Sequence, residues 1–200
     1  MSALEFFYDI GSPWTYLAFH KIEGIAAEAN AELIWKPILV GGVFNAVNPG
    51  VYEARANPMP ARWAYMAKDM EDWASSYELK IVWPPSVFPV NSVKVMRGAL
   101  VALDAGCISA YSRVAFEAYW GDDRDISQDA VVADIAKAAG LDAATFLEAI
   151  ASSEIKGRLR ANTEELIERG GFGTPTMFVD RDDLYFGNDR LELIRAALKR

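Results

Sequence analysis

The sequence predicts an α/β protein: a four-stranded mixed sheet that carries a large all-helical insertion after its second strand. Three observations lead there. Residues 4–8 are an apolar, aromatic run of strand length, followed by apolar residues at helical spacing at Tyr16, Leu17, Phe19, Ile22, Ile25 and Ala26. A long stretch of helical periodicity then fills the middle of the chain. From Gly170 onward short β-rich segments return, and a last amphipathic helix closes the sequence.

In chain order, the strand at 4–8 leads into a helix from Ser12 to about Asn30, with Ser12 as N-cap and Pro13 as first helical residue. A second strand at 33–36 follows, and strand, helix and strand at this spacing make a right-handed crossover between parallel strands. Residues 37–50 read as a loop, because Gly41, Gly42 and Asn48-Pro49-Gly50 signal turns. Met59, Trp63, Met66, Met70, Trp73 and Tyr77 then recur on one helical face, which is expected to be core. Pro84, Pro85 and Pro89 interrupt the helical block. Further helices are expected over 91–104, 110–119, 128–139, 142–152 and 154–169, with Gly140 as a stop and Asp142 as a cap. Strands at 176–179 and 184–186 form a hairpin, and Asn188 or Asp189 caps a final helix bearing Leu191, Ile194, Ala197 and Leu198. By these bounds 1–40 and 168–200 build the sheet domain, and 41–167 the helical insertion domain.

Composition narrows the function classes. With 52% hydrophobic and 12% aromatic residues the chain can bury a large core and is not disordered. A net charge of −8, with the positives scattered, argues against nucleic acid as a partner. No apolar run is long enough for a membrane span, and the acidic first residues do not read as a secretory signal. One cysteine, Cys107, leaves no internal disulfide, and within the helical block an inert, buried thiol is expected. A soluble, cytoplasmic protein is the expectation.

The chemistry is placed at Asp9-Ile10-Gly11-Ser12-Pro13-Trp14. Ser12 lies where a strand's C-terminal end meets a helix N-terminus, a point that favours a thiolate, a phosphate or a carboxylate. The plain alternative is that Ser12 only caps the helix. A serine hydrolase needs a base beside the serine; the single histidine, His20, is eight residues along the same helix, about 12 Å away along its axis, and cannot reach. One histidine and one cysteine also argue against a zinc site of the common ligand types. At the far end, Gly173-Thr174-Pro175-Thr176 opens the third strand.

Four motifs carry a resemblance: Asp9-Ile-Gly-Ser-Pro-Trp-Thr-Tyr-Leu, Phe88-Pro-Val-Asn-Ser, Phe172-Gly-Thr-Pro-Thr-Met-Phe-Val and Phe186-Gly-Asn-Asp-Arg-Leu. They resemble the 2-hydroxychromene-2-carboxylate isomerases, which are similar to kappa-class glutathione transferases within the DsbA-like branch of the thioredoxin fold. The resemblance implies a thioredoxin-like sheet with Pro175 in a cis bond opposite Ser12. Ser12 then stands where the oxidoreductases carry their reactive cysteine and works with the thiol of bound glutathione; Thr15 stands at the position of the resolving cysteine. With neither sulfur present, thiol–disulfide exchange by the chain's own side chains is excluded. The resemblance further implies that Thr174 and Pro175 pair with the glutathione backbone and that Asn188 and Asp189 hold its γ-glutamyl end, where Asp189 could equally be a cap. Asn48 and Arg62 match glutathione contacts of the kappa-class relatives, with a solvated helix charge as the alternative for Arg62. Substrate contacts fall to Trp14, Asn45, Trp83 and Asn91, with Phe44 and Phe88 as further walls. Asn45 departs from the pattern, since many relatives carry Lys there. The activity implied is glutathione-dependent cis–trans isomerisation of an aromatic 2-oxo acid, with no metal. The alternatives are a kappa-like glutathione transferase and a non-catalytic thioredoxin-fold binding module. The expected partners are glutathione as cofactor, a small aromatic carboxylate as substrate, and a second copy of the chain in a homodimer.

Overall fold

A computed structural model describes residues 2–200. The central strand β1 (Ala3–Tyr8) pairs in parallel with β2 (Glu32–Pro37), so that Phe6 lies beside Trp35. On its other edge β1 pairs antiparallel with β3 (Thr176–Val179), and β3 with β4 (Asp183–Phe186), giving the order β2-β1-β3-β4. Successive side chains point to opposite faces of a strand. On β1 that alternation sends Leu4, Phe6 and Tyr8 into the main core and Phe7 into a smaller one with Ile38, Val43, Leu166 and Phe178.

Helix α1 (Pro13–Glu28) covers the main-core face, and its buried stripe of Tyr16, Phe19, Ile22 and Ile25 follows the predicted spacing. Between β2 and β3 the chain is helical. It forms α2 (Val40–Val47), α3 (Gly50–Ala56), α4 (Pro60–Ser76), α5 (Val93–Asp104), α6 (Ile108–Phe116), a π-helical turn (Glu117–Gly121), α7 (Asp129–Ala138), α8 (Ala143–Ala151) and α9 (Ser153–Glu168). Val95, Tyr111 and Phe116 of this part share one core with Phe6 and Tyr8 of the sheet. Arg169 ties the end of α9 back to β1: it pairs with Glu5 at 2.5 Å and lies 3.8 Å over the Phe178 ring. A 3-10 turn (Asn188–Arg190) and α10 (Leu191–Ala197) finish the chain alongside α1.

Three expectations fail, each for a physical reason. Residues 37–50 are not a loop, because α2 and the start of α3 lie there. The helix-breaking glycines are overruled by distant partners: the Leu39 N–H donates to Thr163 Oγ1 and the Val40 N–H to Asp9 Oδ2. Gly42 also permits the contact with α9, since a Cβ there would stand 3.2 Å from Thr163 Cγ2. The Met/Trp face of α4 is core only in part. Met70 is buried with Ala74, whereas Met59, Trp63 and Met66 line a cavity and Met59 is 60% exposed. Neither Asn188 nor Asp189 caps the last helix, because the 3-10 turn intervenes and α10 starts without a side-chain cap. Asp189 instead pairs with the neighbouring Arg190 at 2.5 Å.

Candidate active site

The turn from β1 to α1 is held from several directions. Asp9 is fully buried, and its carboxylate accepts the Gly11 N–H (2.8 Å), the Val40 N–H (2.8 Å) and the Ser92 hydroxyl (3.0 Å). Burial pushes its pKa above the ordinary carboxylate range, and these three hydrogen bonds work against that rise. The Ile10 N–H donates to Met96 Sδ at 3.2 Å, and the Ile10 carbonyl accepts Trp120 Nε1–H at 2.7 Å. Trp120 is buried in the π-helical turn, a kind of helical defect that recurs at functional sites.

Ser12 is the N-cap of α1, as expected: its extended backbone lets Oγ accept the Thr15 N–H at 3.3 Å. The same hydroxyl donates to the Thr174 carbonyl at 3.2 Å. Behind it Thr15 is fully buried, 3.1 Å from the Thr174 hydroxyl, which itself donates to the Phe7 carbonyl. With that donor spent, the Thr15 hydroxyl is the one that donates between the pair. The Thr174–Pro175 bond is cis, as the resemblance implies, and so are Trp83–Pro84 and Phe88–Pro89. The Thr174 N–H has no internal acceptor among the described residues.

Ser12 and Thr174 open into a cavity of about 980 Å³. Trp14, Phe44, Trp63, Trp83 and Phe88 are among its aromatic walls. Trp83 stacks on Trp120 at 6.0 Å, and the segment around it is pinned by Val82 N–H to the Trp120 carbonyl and by Tyr119 O–H to the Val87 carbonyl. Of the candidate residues the cavity gathers Ser12, Trp14, Asn48, Arg62, Trp83 and Thr174. Asn48 bridges to the Phe172 carbonyl at 3.2 Å. Asn188 is buried against α1 and, like Pro175 and Asp189, is not part of the cavity lining; among the described residues its Nδ2 has no partner. Asn45 lies on the exposed side of α2, outside the cavity lining. Asn91 is exposed, and its side chain accepts the Val93 N–H at the start of α5. His20 packs edge-on against Tyr16 and Phe19, away from the cavity, and Cys107 is half-buried at the start of α6.

One cavity residue escaped the sequence reading. Arg55 of α3 lies 5.5 Å over the Phe44 ring and 5.7 Å over the Phe88 ring. A lone arginine just past the stretch read as a loop offers no signal; only the fold brings Phe44 and Phe88 within 6 Å of it.

Fold and site together define a thioredoxin-fold protein whose single cysteine, Cys107, leaves it no redox pair, with Ser12 and Thr15 buried at the start of α1. The chain belongs to the DSBA-like thioredoxin domain family, which it matches over residues 3–199. It is similar to a 2-hydroxychromene-2-carboxylate isomerase of Pseudomonas sp. (strain C18), 29% identical over 98% of this chain and 89% of the relative. It is also similar to human glutathione S-transferase kappa 1, 27% identical over 98% of this chain and 90% of the relative. Among solved structures, a 2-hydroxychromene-2-carboxylate isomerase superposes with a TM-score of 0.83 at 26% identity, covering 98% of this chain and 94% of that one.

Proposed function

We propose that the chain is a glutathione-dependent cis–trans isomerase acting on 2-hydroxychromene-2-carboxylate or a similar aromatic 2-oxo acid. The observation that carries this reading is the Ser12 hydroxyl, at the N-terminus of a sixteen-residue helix, opening into an aromatic-walled cavity. Relatives named as such isomerases align over nearly the whole chain.

The residues present fit glutathione. Asn188 and Asp189 stand outside the cavity lining; the Asn188 amide, without a partner among the described residues, and the half-exposed Asp189 carboxylate beside Arg190 would take the γ-glutamyl end. The unpaired Thr174 N–H and its carbonyl suit strand-style pairing with a peptide backbone. Arg62 lines the cavity without an ionic partner and suits the glycine carboxylate. Bound there, glutathione supplies a thiolate that adds reversibly to a conjugated double bond and so permits rotation about it. The chain's part is to hold that sulfur ionised. Helix α1 directs the positive end of its dipole at the site, and the Ser12 hydroxyl turns from the Thr174 carbonyl toward the sulfur. That turn frees the carbonyl to accept an N–H from the ligand backbone. The walls Trp14, Trp83 and Phe88 exclude water and align a flat aromatic substrate.

Calorimetric titration with glutathione, followed by an absorbance assay on 2-hydroxychromene-2-carboxylate, tests the reading. Binding with glutathione-dependent equilibration of the chromene and its open trans isomer is expected. A stable adduct retaining the sulfur would make the chain a transferase like its kappa-class relatives, and no affinity for glutathione would end both readings.

A further inference from the structure

The cavity is lined by two arginines, Arg55 and Arg62, and two acids, Glu53 and Asp69. Among the described residues none of these four forms an ion pair. Arg55 is set apart from Arg62 by its surroundings. Phe44 comes from α2 and Phe88 from the proline-rich segment before α5, and the guanidinium lies within 6 Å of both rings. A guanidinium held near aromatic rings, with no carboxylate paired to it, keeps its N–H groups free for two-pronged bonding to a carboxylate. The rings cover part of the cation, which holds its pKa below the usual arginine value, while the residue stays exposed enough to meet a ligand. Glu53 cannot supply that anion, since residues two apart on a helix do not face each other. Nor is Arg55 there to fill a core, because α3 buries no side chain at all.

Trp83 packs 5.1 Å from Phe88 in the same wall. We propose that Arg55 reads the carboxylate of the substrate, so that the cavity selects aromatic 2-oxo or 2-hydroxy acids over their uncharged analogues. This deepens the isomerase reading and rests on it for the reaction, though not for the binding.

The test uses a probe without a conjugated double bond, in the absence of glutathione: 2-oxo-4-phenylbutanoate, against its methyl ester. Binding is read by quenching of the cavity tryptophans Trp14, Trp63 and Trp83. The acid is expected to bind at least about tenfold tighter than the ester, the least effect of a charge-assisted contact. Arg55→Met, which keeps an unbranched apolar stem against the rings, should weaken the acid about ten- to a hundredfold and move the ester less than about twofold. Arg55→Lys should restore part of the preference, and glutathione affinity should stay unchanged in both variants. Equal binding of acid and ester by the wild type would overturn the proposal. So would equal loss of both in Arg55→Met, which would make Arg55 a strut for α3, or loss of the preference in Arg62→Met instead. A protein that binds the acid through Arg55 yet isomerises no chromene carboxylate would sink the proposed function and leave this inference standing. An active isomerase whose Arg55→Met variant keeps the wild-type KM would do the reverse.

Discussion

At the scale of the residue, Ser12 joins two roles that a single substitution separates. Ser12→Ala removes the cap and should cost about 0.5–2 kcal/mol of stability. If the hydroxyl also steadies a thiolate, turnover should fall about ten- to a hundredfold, well beyond the effect on folding. The pH of half-maximal activity should rise as the sulfur drifts toward the pKa of a free thiol. Thermal unfolding and a pH–rate profile on the same variant decide the matter, and a wild-type profile would reduce Ser12 to a cap. Asp189 offers a cleaner case than its sequence suggests, because it caps nothing. Its pair with Arg190 is between half-exposed side chains, a kind of contact worth little to stability. Asp189→Asn should therefore leave the melting temperature near wild type while weakening glutathione about ten- to a hundredfold by calorimetry. An unchanged dissociation constant would remove Asp189 from the ligand site.

At the scale of the element, two glycines inside helices predict opposite outcomes. Gly24, on the exposed side of α1, has nothing within 4 Å of an added Cβ. Gly24→Ala should stabilise the protein by about 0.5–1 kcal/mol through helix propensity. Gly98 of α5 lies where a Cβ would stand 2.5 Å from Phe146 Cζ and closer still to the Tyr111 hydroxyl. Gly98→Ala should destabilise by about 1–3 kcal/mol, since overpacking outweighs propensity there; urea unfolding midpoints of the two variants moving in the same direction would refute the contrast. The elements that were legible in the sequence are those whose cause is local. The Ser12 cap, the Asp142 cap, the spacing of Tyr16 to Ile25 and the apolar run of β1 are all written within a few neighbouring positions. Helix α2 was illegible because Asp9 and Thr163, which catch its first N–H groups, are far away in the chain. The site divides along the same line. Ser12 and the Thr174–Pro175 bond are signalled by motifs, whereas Arg55 acquires its aromatic neighbours only when α3 folds over Phe88.

At the scale of the whole molecule, the single histidine sets a measurable pH dependence. Desolvation, with help from Arg113 and then Lys21, lowers the pKa of His20 to about 4 from an ordinary 6.5. Between those values the unfolded chain binds the proton more readily, so His20 contributes stability that is complete above about pH 6.5 and is lost as pH falls toward 4. Allowing for its partial exposure, the loss should be on the order of 2 kcal/mol. Asp9 pulls the other way, because its raised pKa makes stability fall as pH rises. His20→Phe keeps the ring stacking on Tyr16 and Phe19 and leaves Asp9 alone. Its urea midpoint should decline less than that of the wild type between pH 7 and pH 4, and parallel profiles would show that His20 titrates normally. The sheet topology reaches beyond equilibrium. The hydrogen bond from Ser12 to Thr174 spans 162 positions of sequence, which a ribosome takes on the order of ten to thirty seconds to translate. For that interval the nascent chain holds β1 with one edge open, and that edge bears Phe6 and Phe7. An uncovered apolar strand edge is a template for aggregation. The amino-terminal half of this protein is therefore expected to need shelter until its carboxy-terminal hairpin arrives, and the Ser12–Thr174 contact cannot form before that moment.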